Sequence, residues 1–192
     1  MVSKTDKKKV FRILVLGDAT VGKTSLRQRY VKSTFKQSYQ MTIGADFGVK
    51  RIDFNKEPHI IQIWDVAGGL QFSSVRQMYY EQAHGAMIVF DINNEESFEH
   101  VPIWIEELKK NAKIENIPLI LVGNKGDSRK RGQSVTMTRA RKYARALSKW
   151  SGVKVHYVET SAKSGKNVNN AFDKMIKSIH NTLMYNKNIE YV

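Results

Sequence analysis

Two glycines, a lysine and a threonine at a fixed spacing give the chain its strongest chemical signal. They belong to the segment Gly17-Asp18-Ala19-Thr20-Val21-Gly22-Lys23-Thr24, in which four residues separate the two glycines. In such a loop the backbone N–H groups point at one anion together with the N-terminus of the next helix, which Ser25 would start. Lys23 adds a positive charge for the β- and γ-phosphates, and the Thr24 hydroxyl is placed to bind Mg²⁺. The segment therefore predicts a phosphate-binding loop for a nucleoside triphosphate.

The flanking residues have the organisation that such a loop requires. Residues 10–16 form an apolar run, interrupted only by Arg12, that predicts a buried strand, and residues 25–31 can start a helix. A simple glycine turn with an exposed lysine is the alternative interpretation. That alternative makes no prediction for the rest of the chain, whereas a nucleotide site requires further residues at the ends of later strands.

Asp65 is the first of these further residues, because it closes an apolar strand in the run Trp64-Asp65-Val66-Ala67-Gly68. A carboxylate at this point can hold Mg²⁺ opposite Thr24, usually through water, since Mg²⁺ keeps several of its waters. Gly68 follows at a place where its backbone N–H could reach a γ-phosphate. The alternative for Asp65 is a helix or turn cap, and its pairing with Thr24 favours the metal role.

Two later segments favour guanine as the base. Asn124-Lys125-Gly126-Asp127 ends the fifth predicted strand, where the Asp127 carboxylate can accept hydrogen bonds from N1–H and the 2-amino group of guanine. Adenine lacks both donors and would leave the charge unpaired. Lys125 offers an alkyl stem to pack on the base. The sixth strand ends at Thr160-Ser161-Ala162-Lys163, where the Ala162 N–H can donate to guanine O6.

Apolar strands alternating with amphipathic helices predict an α/β fold, with a six-stranded, mostly parallel sheet covered by about five helices on both faces. A polar loop is predicted over residues 33–42, and a flexible stretch over 66–74. Asn94, Thr136 or Thr138, and Asn167 are candidate helix caps.

One domain is expected over 10–185, between a basic flexible tail at 1–9 and a C-terminal tail at 186–192. The predicted strands are 10–16, 45–54, 59–64, 85–92, 117–123 and 153–158.

The chain is strongly basic and has no cysteine. It carries 32 Lys and Arg against 18 Asp and Glu, a formal net charge of +14. No acidic residue lies between Asp127 and Glu159, a stretch that holds nine basic residues, and a second basic cluster lies at residues 4–9. Such patches attract anionic lipid, nucleic acid or acidic protein, although a solvated surface is an equal alternative. Without cysteine there are no disulfides, thiolate metal sites or lipidated thiols in this chain.

Five elements, in this order, resemble the guanine-nucleotide motifs of the Ras superfamily, and the resemblance covers almost the whole chain. Residues 42–47 and 79–86 are most similar to the Rab branch. The five elements are the phosphate loop, Thr42, Asp65-x-Ala-Gly, Asn124-Lys-x-Asp127 and Ser161-Ala-Lys163.

The resemblance implies a small GTPase with GTP or GDP and Mg²⁺ as cofactors. Thr42 would bind Mg²⁺ and the γ-phosphate, and Phe35 would stack across the guanine. Residues 33–48 and 66–80 would be two switch segments that order around the γ-phosphate and contact effector, exchange and activating proteins. The Rab resemblance implies an aromatic surface for effectors, made of Phe47, Trp64 and Tyr79. Simple core packing is the alternative role for these three side chains.

One departure from the family affects catalysis. The family usually reads Asp-Thr-Ala-Gly-Gln, whereas this chain has Gly69 after Gly68, so the side chain that orients the attacking water is missing. Hydrolysis requires that water in line with the γ-phosphate, so we expect slow turnover from a site built on Lys23, Thr42 and the Gly68–Gly69 segment. Gln71 could substitute for the missing side chain, or an activating partner could supply both Gln and Arg.

A second departure concerns the membrane. Rab proteins usually end in lipid-modified cysteines, whereas residues 188–192 contain none, so either a tail was removed or the protein is never lipidated. No predicted segment is long enough to span a bilayer and no secretory signal is present, which makes a cytoplasmic location the expectation. The protein is also expected to be a monomer. Weak peripheral contact with anionic membranes through the basic clusters is the added hypothesis.

The main hypothesis is therefore a GTP/GDP switch whose output is partner binding in vesicle trafficking. The first alternative is a scaffold that binds GTP without hydrolysing it, which Gly69 favours. The second is a GTPase associated with nucleic acid, which only the charge suggests, because no RNA-binding module or aromatic-basic platform is present.

Overall fold

The computed structural model describes most of the chain, including nearly all of the predicted site. Phe35 and Gln71 lie outside the described residues, as do Ile43 and most of the predicted loop at 33–42. The described residues are 9–33, 42, 44–69, 73–113, 117–130, 132 and 134–186.

Six strands form one sheet, in the order β2-β3-β1-β4-β5-β6. All neighbours in the sheet are parallel except β2 and β3, which form an antiparallel hairpin around Asn55 and Lys56. The predicted six-stranded, mostly parallel sheet is confirmed. The strands are β1 (Lys9–Leu16), β2 (Ala45–Phe54), β3 (Glu57–Val66), β4 (Gly85–Asp91), β5 (Leu119–Asn124) and β6 (His156–Glu159).

Helices cover both faces of the sheet, as the near-continuous apolar strands require. Helices α3, α4 and α5 pack on one face of the sheet, and α1 and α6 pack on the other. Each face has its own buried apolar cluster. None of the helices in the described part of the chain is long and apolar enough to cross a bilayer. The helices are α1 (Lys23–Lys32), α2 (Ser73–Tyr80), α3 (Glu95–Glu99), α4 (Val101–Asn111), α5 (Met137–Ser151) and α6 (Val168–Asn186).

The helix predicted after Asn94 is two helices that meet at His100. The Asn94 side chain caps α3 by accepting a hydrogen bond from the Ser97 N–H at 3.1 Å. Pro102 lies in the first turn of α4, the part of a helix that tolerates proline because the N–H there has no helical partner. His100 ends α3 and precedes α4, and this break brings its side chain to the phosphate loop.

Several further boundaries differ from the prediction, including those at Lys9 and at the start of α2. Lys9, assigned to the tail from the sequence, already pairs with His59 in β1 and forms an ion pair with Glu57. Helix α2 begins inside the stretch predicted to be flexible. The sequence pattern that indicates this helix is the four-residue spacing of Arg76 and Tyr80, which places both side chains on one side of a helix. Both side chains are buried.

The topology brings the ends of the central strands to one edge of the sheet. Strands β1, β3, β4, β5 and β6 run parallel, so their carboxyl ends lie together. Ligands of open α/β sheets bind outside these carboxyl ends. The motif residues follow or end these strands, which places them around a single site.

Candidate nucleotide and magnesium site

The phosphate loop follows β1 and needs glycine at two positions. Gly17 has a φ of +136°, and a Cβ there would lie 2.1 Å from the Val89 carbonyl oxygen. Gly22 has a φ of +98°, and a Cβ there would lie 2.3 Å from Asn124 Nδ2. Both the backbone conformation and the space exclude a side chain. The two predicted glycines are thus required by their contacts with β4 and with the end of β5.

Lys23 begins α1 and folds back over the loop. Its ammonium donates hydrogen bonds of 2.8 Å to the Gly17 carbonyl and 2.7 Å to the Asp18 carbonyl. Burial lowers the pKa of Lys23 to about 8, against the opposing attraction of Asp65 and Asp18. The charge therefore lies within the loop, where a polyanionic ligand would stabilise it.

The three predicted metal ligands are brought together. Thr24 Oγ1 lies 2.5 Å from Asp65 Oδ2 and 3.2 Å from Thr42 Oγ1. Asp65 is fully buried, and its Oδ1 has no hydrogen-bond partner among the described residues. Burial raises the pKa of Asp65, while the hydrogen bond from Thr24 and the charge of Lys23 oppose the rise. A buried, unpaired carboxylate oxygen beside two hydroxyls fits a hard cation such as Mg²⁺.

Gly68 lies directly against the phosphate loop. A Cβ at this position would be 2.5 Å from the Asp18 carbonyl carbon, 2.6 Å from the Ala19 nitrogen and 2.6 Å from the Gly17 carbonyl oxygen. The chain leaving β3 therefore packs backbone to backbone on the loop, and Gly69 follows at once. This is the place that the sequence predicts for contact with the γ-phosphate.

Asn124 connects the phosphate loop to the loop after β6. Its Nδ2 donates a 2.9 Å hydrogen bond to the Val21 carbonyl. Its Oδ1 accepts hydrogen bonds of 3.2 Å from the Thr160 hydroxyl and from the Ala162 N–H. The Ala162 N–H, predicted to donate to guanine O6, is thus engaged by Asn124 in this conformation.

The carboxylate predicted to read guanine is oriented by a neighbouring hydroxyl. Ser161 Oγ donates a 2.6 Å hydrogen bond to Asp127 Oδ1, while Asp127 itself is exposed in a short 3-10 turn. Lys125 precedes this turn and forms a 2.7 Å ion pair with Asp91 at the end of β4, so its stem is held between two strands. Ser161 thus has a defined role, whereas Lys163 is exposed.

Arg29 is a site residue that sequence patterns do not reveal. Its Nε donates a 2.8 Å hydrogen bond to the Ala162 carbonyl, and its Nη2 donates to the Lys163 carbonyl. The last turn of α1 is therefore attached to the predicted base-binding loop. An exposed-looking arginine in a helix gives no sequence signal for a partner 133 residues away.

Two side chains on or near α4 contact the site directly, and a third reaches it through Arg76, although none of them was predicted there. Trp104 Nε1 donates a 2.7 Å hydrogen bond to Asp18 Oδ1, and His100 Nδ1 lies 2.7 Å from Asp18 Oδ2. Glu107 pairs with Arg76, which reaches the Gly69 carbonyl. Helical spacing identifies Trp104 as a core residue, which is correct but does not disclose its polar contact.

The predicted aromatic surface forms around the antiparallel hairpin. Phe47 is 66% exposed, and it lies opposite Trp64 in the β2–β3 register. Trp64 is half-buried and packs edge-on against Tyr79, with ring centroids 5.3 Å apart. Core packing therefore does not account for Phe47, whereas Trp64 and Tyr79 are shared between the core and the surface.

This fold and this set of side chains define a P-loop GTPase. The sequence matches the Ras family over residues 12–181. It is 35% identical over 174 residues to Ras-related protein RABA4b of Arabidopsis thaliana, an alignment that covers 91% of this chain and 74% of that relative. The chain belongs to the Ras family and lies close to its Rab branch.

Proposed function

We propose that this protein is a Rab-like switch that binds Mg²⁺-GTP, recruits effectors in that state, and hydrolyses GTP slowly. Membership of the family supports the GTPase activity. The slow rate is inferred from one observation: Gly69, with no side chain, follows the Gly68 backbone that packs on the phosphate loop. No side chain at this position is available to orient the attacking water.

The described residues suggest a division of work within the site. Lys23 and the loop N–H groups would hold the phosphates, and Thr24, Thr42 and Asp65 would hold Mg²⁺. When bound, the ion would neutralise charge on the β- and γ-phosphate oxygens. Since these groups are already in place around the loop, catalysis would depend on electrostatic stabilisation and positioning.

Partner recognition is proposed for the two switch segments, 33–48 and 66–80. Thr42 and Gly68, one from each segment, lie beside Thr24 and the phosphate loop, so both would respond to the γ-phosphate. The exposed Phe47 belongs to the first segment and the half-buried Tyr79 to the second, and the half-buried Trp64 lies opposite Phe47 and against Tyr79. We propose that effector, exchange and activating proteins bind a monomer through these two segments, and that effectors recognise the aromatic surface of Phe47, Trp64 and Tyr79.

The first test is single-turnover phosphate release from GTP-loaded, Mg²⁺-bound protein, with Gly69→Gln beside the wild type. We expect the wild type to release phosphate well below the intrinsic rate of Ras, about 4 × 10⁻⁴ s⁻¹, and the substitution to accelerate it. A wild type already at that rate would mean that another group positions the water. Gln71→Ala would then be measured, and an unchanged rate would eliminate Gln71 as that group.

A GTP-binding scaffold that does not hydrolyse is the second candidate, and the missing side chain at Gly69 favours it. The complete set of Lys23, Thr24, Thr42 and Asp65 favours retained chemistry instead. Multiple-turnover phosphate release distinguishes the two. Phosphate exceeding the enzyme concentration supports the switch, whereas tight GTP binding with no release above background supports the scaffold.

Weak contact with anionic membranes is proposed for the basic clusters, which include the basic face of α5. Four of its cations are exposed and make no ion pair within the described residues, namely Arg141, Lys142, Arg145 and Lys149. Such a face would bind anionic lipid in a salt-sensitive way. Sedimentation with phosphatidylserine vesicles at low salt tests this idea, and lack of binding there would refute it. A gel shift at moderate salt tests the nucleic-acid alternative.

A further inference from the structure

Arg76 is the largest fully buried side chain in the described part of the chain, with 1% of its surface exposed. A buried guanidinium is costly unless its N–H groups are paired. Its Nη1 donates hydrogen bonds to two backbone carbonyls, that of Ala67 at 3.1 Å and that of Gly69 at 2.7 Å. These two carbonyls flank Gly68.

The other edge of the same guanidinium is bound by α4. Arg76 Nε and Nη2 donate to the two carboxylate oxygens of Glu107 at 2.7 and 2.9 Å. The guanidinium also lies over the Trp104 ring, 4.9 Å from its centroid. Burial opposes the charge, but the hydrogen bonds and negative charge of Glu107 outweigh it and keep the pKa of Arg76 above its ordinary value.

Helix α4 therefore holds two parts of the site at once. Through Arg76 it fixes the chain on both sides of Gly68, whose backbone packs on the phosphate loop. Through the Trp104 indole it also holds Asp18 inside that loop. Arg76 therefore links the Gly68–Gly69 segment to the helix that also holds the phosphate loop, and residue 69 has no side chain of its own to make such a contact.

We propose that Arg76 is a positioning residue for the triphosphate state: it holds the Gly68–Gly69 main chain against the phosphate loop, in line with the γ-phosphate. This inference rests on the proposed function, since it concerns the same site. Arg76 acts through the backbone and not by touching the nucleotide. Its loss should therefore affect GTP, which has the γ-phosphate, and leave GDP almost unaffected.

The test compares Arg76→Met, Arg76→Lys and Glu107→Gln with the wild type. Arg139→Lys is the matched control, because Arg139 also pairs with a glutamate, Glu95, and lies over an aromatic ring, Phe98, at 5.0 Å. Each protein is loaded with a fluorescent GDP or GTP analogue for dissociation rates, and with GTP for single-turnover hydrolysis. Circular dichroism and thermal unfolding establish that each variant is folded.

For Arg76→Met we expect roughly tenfold slower hydrolysis and GTP dissociation about fivefold faster, because displacement of positioning groups by about 1 Å is enough for such losses. GDP dissociation should change less than about twofold. Arg76→Lys, which can still bond a carbonyl, should recover part of the loss, and Glu107→Gln should shift the same rates by a smaller factor. Arg139→Lys should match the wild type.

The outcomes separate this inference from the function beneath it. A wild type that binds neither nucleotide overturns the proposed function, whatever the variants do. A wild type that binds and hydrolyses GTP while Arg76→Met changes GTP and GDP dissociation equally overturns the positioning role alone. If Arg76→Met fails to fold, the comparison of Arg76→Lys with Glu107→Gln decides, and unchanged GTP kinetics in both reject the inference.

Discussion

The indole N–H of Trp104 donates a 2.7 Å hydrogen bond to the carboxylate of Asp18, 86 residues earlier in the chain. The indole ring is buried in the apolar cluster between α4 and the sheet, and only its nitrogen reaches the phosphate loop. A core side chain therefore helps to position the phosphate loop, together with the contacts that Asn124 and Gly68 make with it.

Replacing Trp104 by Phe should keep most of the packing and remove this hydrogen bond. Because the Asp18 carboxylate would lose a partly buried partner, we expect the free energy of unfolding to fall by about 1–3 kcal/mol. GDP dissociation should also become several-fold faster. Urea denaturation and fluorescent GDP release measure the two effects. Trp150→Phe is the control, since Trp150 is 52% exposed, and an equal loss in both variants would contradict the assignment.

His100 should make the stability of the phosphate loop depend on pH. Its Nδ1 lies 2.7 Å from Asp18 Oδ2, and this hydrogen bond, aided by the charges of Asp18, Glu96 and Glu99, raises the pKa of His100. The contribution of this pair to the free energy of unfolding is therefore complete below the ordinary histidine pKa of about 6.5. It is lost as the pH rises through the higher pKa that His100 has in the folded protein.

The variant His100→Asn tests this pH dependence. At pH 6 it should be less stable than the wild type, by less than about 1 kcal/mol because the pair is partly open to solvent, with the His100 side chain 39% exposed. At pH 9 the two proteins should unfold with nearly the same free energy. Urea titrations at both pH values give the comparison. A difference that is constant or that grows toward pH 9 would rule out the charged pair.

Ser161→Ala should weaken guanine-nucleotide binding without removing a base contact. The Ser161 hydroxyl donates to Asp127 at 2.6 Å and also accepts the Ser164 N–H at 3.0 Å. A hydrogen bond to a charged group contributes about 1.5–3 kcal/mol, so GDP should dissociate about tenfold faster or more. Stopped-flow release of labelled GDP measures the rate. Ser134→Ala is the control, and equal rates in both variants would refute the orienting role.

Phe47 and Phe90 should respond very differently to truncation. Phe47 is 66% exposed, so Phe47→Ala should change the free energy of unfolding by less than about 0.5 kcal/mol. Phe90 is fully buried, and Phe90→Ala should cost about 3–5 kcal/mol. Chemical denaturation provides both values. A large loss for Phe47→Ala would show that this ring serves the core, which would remove it from the proposed partner surface.

Local patterns predicted the sheet well because they report burial along each strand. The predicted strand 45–54 coincides with β2, whereas the strand predicted at 153–158 is found at His156–Glu159. A strand ends where its neighbour stops pairing, and β6 has pairs with β5 only from His156 onward. The periodicity of one segment does not contain that information.

The grouping of the candidate nucleotide-site residues at one edge of the sheet was predictable because these residues belong to loops with fixed spacing. The contacts of Arg76, His100 and Arg29 were not, because each joins elements far apart in the chain. A polar residue on an amphipathic helix is normally solvated, and the adjacent residues in the sequence do not indicate that it has a buried partner. The break between α3 and α4 at His100 had one local signal, Pro102, which marks a new first turn.

Helix α1 contacts both ends of the proposed nucleotide site. Lys23 at its start lies in the phosphate loop, and Arg29 near its end donates hydrogen bonds to the carbonyls of Ala162 and Lys163, in the loop predicted to bind the base. Because α1 is a continuous helix with contacts at both ends, a tilt of the helix would move both sets of contacts. A partner protein that displaces α1 would weaken the contacts with the phosphates and with the base at the same time. We therefore expect both ends of the nucleotide to be released in one concerted step.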